Sequence, residues 1–102
     1  MTTTSQLISQ HWFVDGGHRL VVLLKRGPKW SRVLDCGTLR GLKIAARDFD
    51  DHSVAVSVRP RKMATRLEKR RKHWKKLGMF GKRFSDKPVR EAVLMLRDVG
   101  ED

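Results

Sequence analysis

Residues 59–83, RPRKMATRLEKRRKHWKKLGMFGKR, carry twelve Lys or Arg against the single acid Glu68. The flanks are different in kind: residues 1–58 hold eight bases and five acids, and residues 84–102 three and five, so the chain's net charge of +12 lies almost wholly in this stretch. Charge so concentrated repels itself and calls for a polyanionic partner or abundant counterions. The fold must therefore present residues 59–83 as a charged face and find its core on either side.

A chain of 102 residues with 39% hydrophobic content has room for one small domain with a single core, and little for a catalytic cleft. Charged residues make up 33%, yet the apolar residues come in ordered runs outside the basic stretch, which points to a folded protein rather than a disordered one. Cys36, the one cysteine, has no partner for an internal disulfide; a core thiol in a reducing compartment is the more economical reading, a reactive thiol the other. The N-terminus MTTTSQLISQHWF has neither a basic nor an apolar signal region, and no run of 18 apolar residues occurs, so the expectation is a soluble cytoplasmic protein. No repeat or extended low-complexity tract is present.

Leu7, Ile8, Trp12, Phe13 and Val14 can form a first strand, ended by the turn signal Asp15-Gly16-Gly17. His18 to Arg26 follows with Leu20, Val21, Val22, Leu23 and Leu24, apolar on both faces; its length and flanking glycines favour a strand over a buried helix. Beyond Gly27-Pro28, Lys29 to Cys36 alternates Trp30, Arg32 and Leu34 with Ser31, Val33 and Asp35, and reads as a less buried strand. Gly37-Thr38 turns the chain again. Leu42, Ile44 and Ala46 then alternate with Lys43, Ala45 and Arg47, and after an acidic turn at Asp48-Phe49-Asp50-Asp51 the residues Val54, Val56 and Val58 alternate inward. Short strands joined by tight turns predict an antiparallel meander, as a bent sheet or an SH3-like barrel, closed with a helix.

Composition changes at Arg59-Pro60, the border between a β-rich half, 1–58, and a helical half, 59–102, of one domain. Pro60 suits a first helical turn and Gly78 a C-terminal stop. Between them Met63, Leu67, Trp74 and Leu77 form a narrow apolar seam, interrupted by Arg70. Phe80 and Phe84 lie in a short connection. Ser85 or Asp86 caps a final helix, with Pro88 in its first turn and Val89, Ala92, Val93, Leu96 and Val99 on a broad core-facing side; its acids Glu91, Asp98, Glu101 and Asp102 give no sign of contacting phosphate. The expected class is α+β.

Lys and Arg on three sides of one helix can neutralise several phosphates at once and release their counterions. A face kept only for solubility mixes signs and forms i,i+4 pairs, whereas here only Glu68 can pair, so phosphate-backbone binding is the leading expectation. The candidate contacts are Lys62, Arg66, Lys69, Arg70, Arg71, Lys72, Lys75 and Lys76 on the helix, with Lys82 and Arg83 beyond it. A second patch, KRGPKWSR, adds Lys25, Arg26, Lys29, Trp30 and Arg32. Trp30 is the better candidate for stacking on a base, with a packed tryptophan at a barrel end as the alternative; Trp74 reads as a core anchor. Arg70 is expected to lay its stem along Trp74 and point its head to solvent or phosphate. His11, His18, His52 and His73 are scattered and build no zinc site, so no metal or other cofactor is expected. Asp48, Asp50, Asp51 and His52 could hold a divalent ion for phosphodiester cleavage, but turn formation explains them more simply. With no credible set of nucleophile, base and orienting group, the chain does not read as an enzyme.

Residues 25–44, KRGPKWSRVLDCGTLRGLKI, with the preceding leucine, resemble a class of small basic accessory proteins of tailed bacteriophages, in which an LKRG-x-KW segment precedes an apolar strand. In that class a basic helix and a short C-terminal helix follow, as Arg66 to Lys76 and VREAVLMLRD do here. The resemblance implies a phage early or accessory protein in the host cytoplasm, acting by nucleic-acid binding or by interference with a host protein.

The expectation from the sequence is a non-enzymatic nucleic-acid-binding protein with weak sequence preference, for DNA or RNA. The alternative is a modulator that docks its basic helix on an acidic host protein such as a polymerase or nuclease. Membrane binding is disfavoured, because the narrow seam leaves too little apolar area to insert.

Overall fold

The computed structural model describes residues 9–14, 17–55 and 58–99, of which 9–14, 17, 18, 54 and 55 are described as backbone. Five strands form one antiparallel sheet: β1 (Ser9–Val14), β2 (Gly17–Lys25), β3 (Trp30–Asp35), β4 (Gly41–Ala45) and β5 (Ser53–Ala55). Helix α1 (Ala46–His52) joins β4 to β5, and α2 (Pro60–Lys76) and α3 (Lys87–Val99) follow. The spatial order is β4-β3-β2-β1-β5, so four strands meander and the fifth returns to pair with the first, Gln10 opposite Ala55. The expected α+β class and antiparallel sheet hold. Among the described residues β4 and β5 are not paired with each other. Leu7, Ile8, Val56, Glu101, Asp102 and the Asp15-Gly16 turn lie outside the described residues.

The run from Leu20 to Leu24 is apolar on both sides because β2 is covered on both sides. Successive side chains of a strand point to opposite faces. Val22 joins Leu34 and Leu39 beneath the helices, with Ala64 and Leu67 of α2 and Val89, Ala92, Val93 and Leu96 of α3. Val21 joins Val33, Ile44 and Phe49 in a smaller core on the other face. A register irregularity between Leu23 and Lys25 marks a bulge, which bends β2.

Where an acidic turn was expected at Asp48–Asp51, the chain forms α1, and Phe49 is fully buried as its inward residue. One aromatic in a run of aspartates reads as a turn, but a helix of seven residues, about two turns, suffices to drive Phe49 into the second core while Asp48, Asp50 and Asp51 remain exposed.

Two tight places fix how the strands meet their neighbours. A Cβ on Gly27 would stand 2.4 Å from the Trp30 carbonyl oxygen, so only glycine permits the β2–β3 connection. A Cβ on Gly41 would stand 2.8 Å from Pro88 Cγ, so glycine lets β4 begin against α3. The β3–β4 turn is organised by Asp35, which is buried and accepts bonds from the Gly37 amide (2.8 Å), the Thr38 amide (3.3 Å) and Arg19 Nη1 (3.1 Å). Leu39, not Gly37, takes the left-handed conformation there (φ 59°). That placement costs about 1 kcal/mol for a branched side chain, and full burial of Leu39 offsets it.

Candidate nucleic-acid interface

Helix α2 begins at Pro60 as expected, and the chain leaves it through Gly78 at φ 71°. At about 100° per residue, Pro60, Met63, Ala64, Leu67, Arg70, Arg71 and Trp74 share the inner half of its circumference. Burial follows this phase: Pro60, Ala64 and Leu67 are buried, and Met63, Arg70, Arg71 and Trp74 half-buried. Leu77, expected in the seam, is instead 62% exposed, just past the last helical residue Lys76. Trp74 is the expected anchor, with ring centroids 6.2 Å from Phe80 and 5.8 Å from Phe84 in the helix-side core.

The outer half carries Arg61, Lys62, Arg66, Lys69, Lys72, Lys75 and Lys76, all exposed. Among the described residues none of the seven forms an ion pair, although the field of Lys72 reaches Glu68. Lys82 and Arg83 are exposed in the connection that follows.

Two of the expected phosphate contacts are engaged within the chain. Arg71 turns inward: its side chain is 15% exposed and bonds Glu68 and Asp86, the latter at 3.0 Å. The Arg71 hydrogen bond, above all, holds the Glu68 carboxyl below its ordinary 4.5, and the same bond raises the Arg71 guanidinium. Arg71 is thus the tie between α2 and the entry to α3. Arg70 does lie along Trp74, 5.4 Å from the ring centroid, but its head donates to the carbonyl oxygens of Cys36 and of Gly37, the latter at 2.8 Å. It holds the β3–β4 turn, whose Cys36 and Gly37 carbonyls would otherwise look for water.

The KRGPKWSR patch divides in the same way. Arg26 pairs with Asp50 and lies 5.7 Å from the Phe49 centroid, so it clamps α1. Arg32 faces Glu91 of α3 at 3.4 Å, which also gives that acid a partner. Lys25 and Lys29 stay exposed without an ion pair among the described residues. Trp30 is 51% exposed rather than packed at the end of the sheet. Lys43 Nζ lies 5.6 Å from its ring centroid, brought there because Lys43 is directly opposite Arg32 across the β3–β4 pair. Lys43 was not among the expected contacts, although the alternation of β4 already put it on the side away from Leu42 and Ile44. Arg61 was likewise omitted, and its helical phase places it squarely on the outer half.

The entry to α3 stands between the two basic surfaces, with Asp86 toward α2 and Glu91 toward β3. Cys36 is buried, and burial together with the neighbouring Asp35 charge pushes its thiol up to about 12, so it stays neutral and unreactive at physiological pH. Of the residues weighed as a divalent-ion set, Asp50 is held by Arg26 and the His52 ring meets the Asp48 carbonyl at 3.1 Å. Among the described residues no three of His, Cys, Asp or Glu gather as a metal-ligand group, and no helix is long and apolar enough to cross a membrane.

Comparison with family models, with curated proteins and with solved structures returns no match for the chain.

Proposed function

We propose that the protein is a non-enzymatic nucleic-acid-binding protein whose main contacts run from the outer half of α2 to the phosphate backbone. The observation that carries this reading is seven exposed cations, without an ion pair among the described residues, on one half of a helix whose other half is locked into the core. Side chains on a fixed helix present a charge array without the ordering cost of a loose tail, and each phosphate neutralised releases a counterion. Trp30, with Lys25, Lys29 and Lys43 around it, offers a second contact where an unpaired base can stack. Contacts of this kind position a nucleic acid without reading it, so sequence preference is weak.

The strand order supports a small SH3-like barrel as the scaffold, since β5 returns to β1 after the short α1, and the likeness to small phage accessory proteins agrees with a role of this size. The test is a salt titration of oligonucleotide binding. With about six phosphates neutralised, log K falls against log salt with a slope near −5. A flat response rules the reading out.

A further inference from the structure

Between β2, the β3–β4 turn and the first half of α2 lies an open groove of about 490 Å³. Its floor is aliphatic: Leu20, Val58, Met63 and Leu67, beside the Cys36 thiol. Arg59, Lys62, Arg66 and Arg70 line it as well and make its border cationic. Among the described residues Arg70 donates there only to carbonyls, which leave its charge uncancelled. The one acid of α2, Glu68, is turned away onto Arg71.

We infer that this groove docks an acidic amphipathic peptide segment of a partner protein, with its aliphatic side chains on the floor and its carboxylates on the border. Among the described residues the floor carries no aromatic ring for a nucleobase to stack on, whereas leucine-like side chains gain by leaving water there. From Arg59 to Arg70 the border cations extend over about 16 Å of helix. That is longer than the reach of one carboxylate head group, so several acids spaced along a chain complement it and a fatty acid does not. The groove shares Lys62 and Arg66 with the outer half of α2, whereas Lys69, Lys72, Lys75 and Lys76 of the phosphate-binding reading lie outside it, so reversing charge at the C-terminal end of α2 separates the two sites.

The experiment uses the full chain with ¹³C-methyl-labelled methionine and a fluorescein-tagged synthetic peptide bearing Leu on one helical face and Glu on the other. Polyglutamate, decanoate and a single-stranded oligonucleotide are the comparison probes. The amphipathic peptide is expected to bind at least about tenfold more tightly than polyglutamate, a difference of about 1.4 kcal/mol. It should shift the Met63 methyl resonance and leave that of Met79, beyond the end of α2, in place. Arg59→Glu with Lys62→Glu, both at exposed positions, should weaken the peptide by about tenfold or more, whereas Lys75→Glu with Lys76→Glu should leave it unchanged while weakening the oligonucleotide. Equal binding of polyglutamate, an unmoved Met63 methyl at saturating peptide, or a Met63 shift produced equally by decanoate or by the oligonucleotide overturns the proposal.

Discussion

On the outer half of α2, Lys69, Lys72 and Lys76 stand in water, with no carboxylate at ion-pair distance among the described residues. On the inner half, one to six residues away in sequence, Arg70 and Arg71 give their guanidinium groups to Cys36, Gly37, Glu68 and Asp86. Both inward cations are arginines, while the outer half holds five lysines beside Arg61 and Arg66. A planar fork with five donors can satisfy two carbonyls or bridge two carboxylates at a half-buried site, whereas a strongly hydrated ammonium is better left outside. A count of basic residues therefore overstates the free cationic surface, and the arginines nearest the middle of the basic stretch belong to the scaffold.

The largest effect that can test this division is charge reversal outside. Lys69→Glu, Lys72→Glu, Lys75→Glu and Lys76→Glu combined should cost at least about a hundredfold in oligonucleotide affinity at moderate salt, with circular dichroism and melting temperature close to the parent's. Parental affinity in this variant breaks the comparison outright.

Trp74→Ala tests the inner half from its apolar side. It should destabilise the fold by about 3 kcal/mol, the low end for a truncated aromatic because part of the ring already meets water, as read by urea denaturation. Loss of binding without loss of stability would move Trp74 to the outside.

Arg71→Met should cost about 2 kcal/mol at neutral pH, less than for a fully buried pair because Glu68 and Asp86 each keep about a fifth of their surface. The sign of its pH dependence follows from Glu68. A carboxyl whose native pKa is depressed stabilises the fold fully above its ordinary value and loses that contribution as pH falls through the native one. The gap between parent and Arg71→Met should therefore be widest at neutral pH and close as pH drops below 4.5. A gap that persists in acid means that Arg71 acts by packing alone.

The smallest effect is expected at Trp30. Trp30→Ala should lower affinity for a single-stranded oligonucleotide by about fivefold to tenfold, the low end for one stacked base, and barely move the melting temperature. A lowered melting temperature with unchanged affinity would return Trp30 to the packed role that was its alternative reading.

Much of the inner and outer division of α2 was legible in its phase. Pro60, Ala64 and Leu67 define the buried meridian, and Arg71 lies between Pro60 and Ala64 on it. A seam drawn only through Met63, Leu67, Trp74 and Leu77 sits too far to one side, because alanine and proline carry too little apolar signal to be counted. The strands were legible for the opposite reason. Alternation and glycine punctuation act over a few residues, so β2, β3 and β4 could be placed within a residue or two. Phe49 was missed because a helix of seven residues has no periodicity to show.

The sequence by itself determined a charged face between two apolar halves, the positions of the middle strands and of both long helices, and the anchoring role of Trp74, because each of these depends on neighbours within one or two turns of chain. Only the tertiary structure decided which cations remain free. Arg70 finds its carbonyls 34 and 33 residues away, Arg71 its second carboxylate 15 away, Arg32 its partner 59 away, and the groove needs β2 beside α2. Ion pairs and grooves are made by distances in space, and no local pattern records which distant segment the core will bring near.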